Sequence, residues 1–180
     1  MAPNLENWPK DWGRPSKDMM AVIAEAAEKF EVPEDLIYGI IRKESNFNPK
    51  LRGYKHGGNS KTFAESYEKY KNKVIPGKNP KSVTWGEVFK KPEDWCPYGL
   101  MQTLPYHVYG KTGGVPIGAP IKDLFKVAPN VRCAVAYLTA LAKKYPGSWG
   151  KVLKVYNGST AYAIQVASYI SQYNEARGLA

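Results

Sequence analysis

Apolar side chains recur every three or four residues over most of the chain, which is the spacing of helices. From residue 16 to 30 this spacing gives one apolar face, and Pro33 suits the first turn of a second helix. The pattern predicts further helices over residues 129–144, 148–156 and 162–173. Neither strand-like alternation of useful length nor an internal repeat occurs. We therefore predict a mainly α fold, either all-α or α+β with helices dominant.

Two segments differ from this helical pattern. Residues 1–15 are rich in proline and tryptophan and predict an extended arm laid over the surface of a single domain that spans residues 16–180. Residues 52–97 are rich in Lys, Gly, Pro and Tyr. Within the second segment, the capping-box sequences Thr62–Glu65 and Thr84–Glu87 each predict the start of a short helix.

Composition and charge limit the classes of protein to which the chain can belong. A chain of 180 residues with 43% hydrophobic and 23% charged residues is globular and can bury a sizeable core. No apolar run approaches the roughly 18 residues of a membrane span, and the first ten residues contain no apolar core of a secretory signal. The net charge of +10 indicates a polyanionic partner, which could be nucleic acid, an anionic membrane face or an acidic wall polymer. No sequence motif for reading nucleic acid is present.

The cysteines and histidines do not form a metal-binding pattern. Cys96 and Cys133 lie far apart in the sequence, and only His56 and His107 could join them as ligands. We therefore expect no metal and no cofactor. For the cysteines, one long-range disulfide and two buried thiols both remain open.

One carboxylate, Glu44, occupies an unusual position. It falls three and four residues after two isoleucines of the second helix, on the same apolar stripe, and residues 46–49 end the helix directly after it. Burial at such a site should raise the pKa of the carboxyl, and an acid that stays protonated near neutral pH can cleave a glycosidic bond. The alternative is an exposed carboxylate that pairs with Arg42 or Lys43.

Five stretches of sequence resemble the soluble lytic transglycosylases, which share the goose-type lysozyme fold. Residues 36–49 (LIYGIIRKESNFNP) are similar to the first family motif and residues 98–102 (YGLMQ) to the second. Residues 130–138 are similar to the helix that follows, and residues 155–158 (VYNG) to a signature that reads AYNAG in the family. Tyr162 with Val166 is similar to the last motif, and the order of all five is that of the family.

The resemblance implies a role for each matching residue. Glu44 would be the only catalytic acid and base, and Ser45 would orient it or contact the substrate. Tyr156 would hydrogen-bond Glu44, Asn157 would shape the same wall, and Tyr162 would close the floor beneath the carboxylate.

Met101 and Gln102 would line the glycan cleft in the same family. Simpler roles remain open for some of these residues: core packing for Met101 and Tyr162, and a turn position for Asn157. The long stretch 52–97 departs from the family and is interpreted as an insertion that either extends the groove or forms a solvated basic helix. Val155 replaces an alanine of the signature, and Ser159 follows Gly158 where the family continues with Ala-Gly.

The single well-placed acid implies a reaction without water. Glycosidases usually use two carboxylates, so one carboxylate indicates assistance by the substrate itself. With the family resemblance, this implies cleavage of the N-acetylmuramic acid (MurNAc) to N-acetylglucosamine (GlcNAc) β-1,4 bond with formation of a 1,6-anhydroMurNAc end. A hydrolytic muramidase with Asp94 or Glu93 as its base is the alternative enzyme. A peptidoglycan-binding module without catalysis is the alternative outside enzymes.

The expected partners and location follow from the same features. Peptidoglycan glycan strands are the expected substrate of a monomer, with electrostatic contact to an anionic wall or membrane surface. The missing signal and basic single domain resemble a phage endolysin, which moves from the host cytoplasm to the wall, although a virion-borne lysin or a bacterial enzyme without its leader would look the same.

Overall fold

The computed structural model describes residues 5–53, 60–74, 84–90, 95–104 and 121–179, and these ranges are mainly helical. They contain the helices α1 (Lys17–Phe30), α2 (Glu34–Ser45), α3 (Ser60–Tyr70), α4 (Trp85–Val88), α5 (Val127–Lys144), α6 (Trp149–Asn157) and α7 (Thr160–Ala176). Single turns of 3-10 helix occur at Leu5–Asn7 and Ile121–Phe125. The β-structure found in these ranges consists of isolated bridges. The prediction of a mainly α fold is confirmed.

Local capping explains where several helices begin. Ser16 accepts a hydrogen bond from the Met19 amide at 3.2 Å and so caps α1. At the start of α4 the Glu87 carboxylate accepts from the Thr84 amide at 2.5 Å, which confirms the second capping box. The first capping box is wrong, because α3 already begins at Ser60 and Thr62 lies inside its first turn.

Helix α2 forms the centre of the main core. Its residues Ile37, Tyr38, Ile40 and Ile41 have no exposed surface. It packs most extensively on α7, and Gly39 allows this close approach because a Cβ there would lie 3.0 Å from the Ile170 side chain. Helix α1 packs on α5, while α6 packs on both α5 and α7. The C-terminal end of α2 is therefore held between helices that are distant in sequence.

The segment before α1 contributes both of its tryptophans to this core. Trp8 and Trp12 are only 5% and 4% exposed. The Trp8 ring makes edge contacts with Trp12, Tyr38 and Phe47, and its indole N–H donates to the Gly13 carbonyl at 3.0 Å. The segment was expected to lie over the surface, but these two rings are structural parts of the interior, because aromatic side chains bury large apolar areas.

The described part of residues 52–97 has a hydrophobic cluster of its own. Its buried members are Tyr67, Trp85, Phe89 and Trp95. The Trp95 indole N–H donates to the Ser66 hydroxyl at 3.0 Å, which ties the cluster to α3. The loop that was expected over residues 76–80 lies outside the described residues.

The two cysteines are buried free thiols. Of the two alternatives that the sequence left open, the structure therefore has the thiols and not the disulfide. Burial raises the pKa of Cys133 to about 12, so its thiol stays protonated and unreactive at neutral pH.

Candidate active site

Glu44 lies in the last turn of α2 with its side chain only partly buried. The surrounding protein nevertheless desolvates the carboxyl strongly and raises its pKa to about 7. Three smaller effects lower the pKa: hydrogen bonding by Tyr162, the positive charge of Lys43 and hydrogen bonding by Asn157. A group that is both reachable and about half protonated at neutral pH can deliver a proton to a substrate.

The junction of α6 and α7 brings Asn157 and Tyr162 to this carboxyl. Helix α6 ends at Asn157 because Gly158 takes a left-handed conformation, with φ 85°. Ser159 then caps α7 by accepting from the Tyr162 amide at 3.4 Å. Six residues of sequence, from Asn157 to Tyr162, therefore supply two polar groups beside Glu44.

The interaction between Tyr162 and Glu44 is loose in this structure. The Tyr162 hydroxyl is buried, and among the described residues no partner meets the distance and angle limits of a well-formed hydrogen bond. It is still close enough to Glu44 for hydrogen bonding to change the pKa of the carboxyl. Catalytic hydrogen bonds are often long before the substrate is bound, so the geometry is compatible with a role at the carboxyl.

A tight turn at residues 98–103 forms the neighbouring part of the site. Tyr98 and Thr103 exchange backbone hydrogen bonds of 3.1 and 2.9 Å across the turn. Gly99 and Gln102 both have positive φ, at 72° and 47°. For glutamine this conformation is strained, and such strain is found mainly where the surroundings hold the backbone firmly.

Asn130 of α5 is the residue that holds this turn. Its side chain is fully buried and makes three hydrogen bonds: the Oδ1 atom accepts from the Met101 amide at 2.9 Å, and the Nδ2 atom donates to Tyr98 O at 2.7 Å and Leu124 O at 2.9 Å. A Cβ at Gly99 would lie 2.6 Å from the same Nδ2 atom, so this position requires glycine. Sequence analysis placed Asn130 in a motif without assigning it a role. The sequence did offer a signal for this role, because Asn130 is a polar residue among the apolar positions of α5.

The side chain of Gln102 folds back over its own turn. Its Nε2 atom donates to Gly99 O at 2.9 Å and to Leu51 O at 3.3 Å. Both amide hydrogens are therefore used within the protein. The half-buried amide leaves its Oε1 atom as the group that remains for a substrate.

Tyr156 and Met101 make contacts that differ from those expected from the sequence. Tyr156 was expected to hydrogen-bond Glu44, whereas its hydroxyl donates to the Met101 carbonyl at 2.7 Å; Glu44 is still near enough that its charge, after burial, raises the pKa of Tyr156. Met101 was expected to line the cleft, but its side chain has no exposed surface and belongs to the main core. Its position favours the alternative of core packing.

Ser45 and the residues after it stabilise the C-terminal end of α2. The Ser45 hydroxyl is used for this purpose and not to orient the Glu44 carboxyl. The Ser45 hydroxyl donates to the Ile41 carbonyl one turn earlier, at 3.3 Å. Asn46 and Phe47 follow with positive φ, at 48° and 65°. The Asn46 Oδ1 atom accepts from the Gly13 amide at 2.7 Å, so the segment before α1 supports this strained turn.

The other candidate chemistry gains no support from the structure. Glu93 and Asp94, the alternative bases, lie outside the described residues. Within the described ranges, no group of three or more His, Cys, Asp or Glu side chains could hold a metal ion.

None of the helices in the described part of the chain has both the length and the apolar character that a membrane-spanning segment requires.

Comparison with known proteins agrees with this geometry. The family model described as "Transglycosylase SLT domain" matches residues 21–177, which include Glu44, the turn at residues 98–103 and the α6–α7 junction. No curated protein and no solved structure matches the chain. The chain therefore belongs to the SLT transglycosylase family, whose members are lytic transglycosylases that cleave the glycan strands of peptidoglycan.

Proposed function

We propose that Glu44 is the catalytic acid and base with which this enzyme cleaves the MurNAc–GlcNAc β-1,4 bond and leaves a 1,6-anhydroMurNAc end. The observation that carries the proposal is a partly exposed carboxyl whose pKa is raised to about 7. Asn157 and Tyr162 support it, because both act on that carboxyl through hydrogen bonding.

In the first step the Glu44 carboxyl gives its proton to the glycosidic oxygen. The bond between C1 of MurNAc and that oxygen breaks, and the GlcNAc side leaves as an alcohol. The positive charge that develops at C1 is met by the 2-acetamido oxygen of the same sugar and by the newly formed carboxylate.

In the second step Glu44 acts as a base. Its carboxylate takes the proton of the C6 hydroxyl, and O6 bonds to C1, which returns the enzyme to its starting state without consuming water. Lys43, Tyr162 and Asn157 each favour the ionised form of Glu44, so they stabilise the carboxylate between the two steps.

The remaining site residues have supporting roles in this proposal. Gln102 offers its Oε1 atom to the glycan from the turn at residues 98–103. Tyr156 and Met101 position that turn through the hydrogen bond between them. Ser45 positions the end of α2 from inside the core.

The first experiment replaces Glu44 by glutamine and measures release of muropeptides from purified sacculi. Glu44→Gln keeps the shape of the side chain and removes the transferable proton, so turnover should fall at least 1,000-fold, on the order expected for loss of an acid–base group. Glu28→Gln, on the exposed face of α1, is the matched control and should keep its activity. Retention of a few per cent of turnover by Glu44→Gln would show that Glu44 is not the acid.

The second experiment identifies the product in water enriched in oxygen-18. A transglycosylase gives anhydro ends without label, because O6 of the sugar is the nucleophile. Labelled reducing-end MurNAc as the main product would show a hydrolase instead. Binding to sacculi without any product would show a binding module.

We further propose that the enzyme acts as a monomer in bacterial lysis, as phage endolysins and virion lysins do. The net charge of +10 supports a route to the anionic wall from outside or inside the cell. Turbidity of permeabilised cells after addition of purified protein, with light scattering for the oligomeric state, tests both parts. Release of fragments from sacculi without clearing of cells would exclude the lytic role, and a dimer mass would exclude the monomer.

A further inference from the structure

The C-terminal part of the chain carries only positive charges over a long stretch. Between Leu124 and Asn174 the sequence has Lys126, Arg132, Lys143, Lys144, Lys151 and Lys154, and no Asp or Glu. Lys126 forms an ion pair with Asp123 at 2.8 Å, and Arg132 forms one with Glu25 at 2.7 Å. The other four lysines have no ion pair within the described part of the chain.

Two of these lysines lie on α6, the helix that ends with Asn157 beside the Glu44 carboxyl. Lys151, Lys154 and Asn157 follow one another at spacings of three residues on α6, and all three are exposed. Residues at this spacing are neighbours on a helix surface, and six residues of helix rise by about 9 Å. Because Asn157 is close enough to Glu44 for hydrogen bonding to lower the pKa of the carboxyl, Lys154 and Lys151 lie one and two turns along the same helix from a residue of the site.

The position of Lys151 is not explained by helix stability. It lies in the first turn of α6, where the helix dipole disfavours positive charge, and this turn has no acidic residue to offset it. Lys154 lies in the last turn, where a cation does stabilise a helix. Helix stability therefore gives no reason for a cation at position 151.

The helices that pack against α6 leave this positive field uncompensated. Helix α5 ends with Lys143 and Lys144, close in sequence to the start of α6. Helix α7 carries a single acidic residue, Glu175, in its last turn, far along the helix from its junction with α6. An anion that approaches the exposed side of α6 therefore meets several lysines.

We infer that Lys151 and Lys154 bind carboxylates of the peptides that hang from the glycan strand, a specificity that rests on the proposed function of the site. The sugars themselves are largely neutral, whereas the peptide is attached to MurNAc, the sugar whose C1 reacts. Its carboxylates therefore lie within reach of exposed side chains on the helix that brings Asn157 to Glu44. Lysine suits this task, because its flexible stem lets a point charge follow a carboxylate whose position varies.

The experiment compares soluble glycan strands that carry their peptides with strands from which an amidase has removed them. The variant is Lys151→Gln/Lys154→Gln, and the control is Lys17→Gln/Lys29→Gln, which removes the same charge from the exposed face of α1. On peptide-bearing strands at low salt the α6 variant should raise KM by roughly three- to tenfold, the range for two exposed ion pairs, with kcat and the pH profile unchanged. On peptide-free strands its KM should stay close to that of the control.

Each other outcome overturns the inference. An equal rise in KM for both double variants would show a general effect of net charge. A rise that persists on peptide-free strands would assign the lysines to the glycan itself, either to its sugars or to the lactyl carboxylate of MurNAc that the amidase leaves behind. A rise that appears only on walls carrying phosphate polymers would assign them to phosphate. If the wild-type protein cleaves neither substrate, the proposed function itself fails, which this design separates from a failure at the lysines.

Discussion

The carboxyl of Glu44 stands at the end of a helix where two effects both oppose its ionisation. Burial is the larger one and raises its pKa to about 7. The C-terminal end of a helix also carries partial negative charge, which disfavours an anion by about 0.3–1 kcal/mol. The residue is thus poised between acid and base at neutral pH, as a group that must play both parts in one reaction should be.

The pH profile of kcat/KM gives the first prediction at this scale. Activity should fall as the pH rises through about 7, because Glu44 must start protonated. Tyr162→Phe removes a hydrogen bond that lowers the pKa of Glu44, so its alkaline limb should move to higher pH. Lys29→Gln is the control, because Lys29 is exposed on α1 and is not among the groups that act on Glu44. A limb that stays in place or moves to lower pH in Tyr162→Phe would contradict the assignment.

The stability of Glu44→Gln gives the second prediction. The folded pKa is raised above the value of 4.5 for the free side chain, so the folded state holds its proton longer than the unfolded state does. Stability is therefore lost as the pH rises from 4.5 to about 7, by up to about 3 kcal/mol at higher pH. Glutamine avoids this loss.

Urea unfolding at pH 4 and pH 8 tests the stability prediction. Glu44→Gln should be more stable than the wild type at pH 8 and close to it at pH 4. Glu28→Gln should show no such difference between the two pH values. A Glu44→Gln variant that is less stable at pH 8 would mean that the carboxylate is well solvated or well paired in the folded protein.

At the scale of elements, the site is a meeting of helix ends and one turn. The end of α2 supplies Glu44, the α6–α7 junction supplies Asn157 and Tyr162, and the turn at residues 98–103 supplies Gln102. Leu100 and Met101 of the turn are buried in the main core, and the backbone of the turn is fixed from α5 by two hydrogen bonds of Asn130.

Asn130→Asp tests this dependence. In this variant the Nδ2 atom that donates to the Tyr98 and Leu124 carbonyls is replaced by a carboxylate oxygen, which repels them. The free energy of unfolding should therefore fall by about 3 kcal/mol or more. Asn48→Asp is the control, because Asn48 accepts from the Lys50 amide through an oxygen that aspartate retains. Urea unfolding gives both values, and a loss below about 1 kcal/mol at Asn130 would show that the turn holds itself.

At the scale of the whole molecule, the segment before α1 is joined to the catalytic end of α2. Phe47 lies against Trp8 and Trp12, and Gly13 packs so closely on Asn46 that a Cβ would lie 2.1 Å from its carbonyl oxygen. Arg42 adds an ion pair with Asp11 at 3.0 Å. The strained backbone after Glu44 is thus stabilised from a part of the chain more than thirty residues away.

Trp8→Ala tests how much the fold relies on this segment. Loss of a buried tryptophan leaves a cavity and should cost about 3–5 kcal/mol of unfolding free energy. Leu179→Ala, at a side chain that is 64% exposed, should change it by less than about 0.5 kcal/mol. Denaturant midpoints give both numbers. Equal midpoints for Trp8→Ala and the wild type would mean that residues 5–15 contribute nothing to the core.

Sequence analysis was most successful where the interactions are local. Helix α1 begins one residue after the predicted start at Ser16, and Val131, Val135, Leu138 and Leu141 of α5 are buried as their spacing required. The helix end at residues 46–49 made Glu44 the candidate acid, and the burial expected for it is what raises its pKa. The first capping box failed because Thr62–Glu65 has the right residues but lies inside α3.

Periodicity, caps and helix breakers depend on residues a few positions apart, so the sequence by itself determined the mainly helical fold, the family motifs and Glu44 as the candidate acid. The tertiary structure alone decided which groups meet that acid, because a hydrogen bond joins atoms across the fold. Tyr156 serves Met101 instead of Glu44, Asn130 holds a turn some thirty residues away, and Trp8 lies in the core. Each of these depends on how the helices pack, which no local pattern encodes.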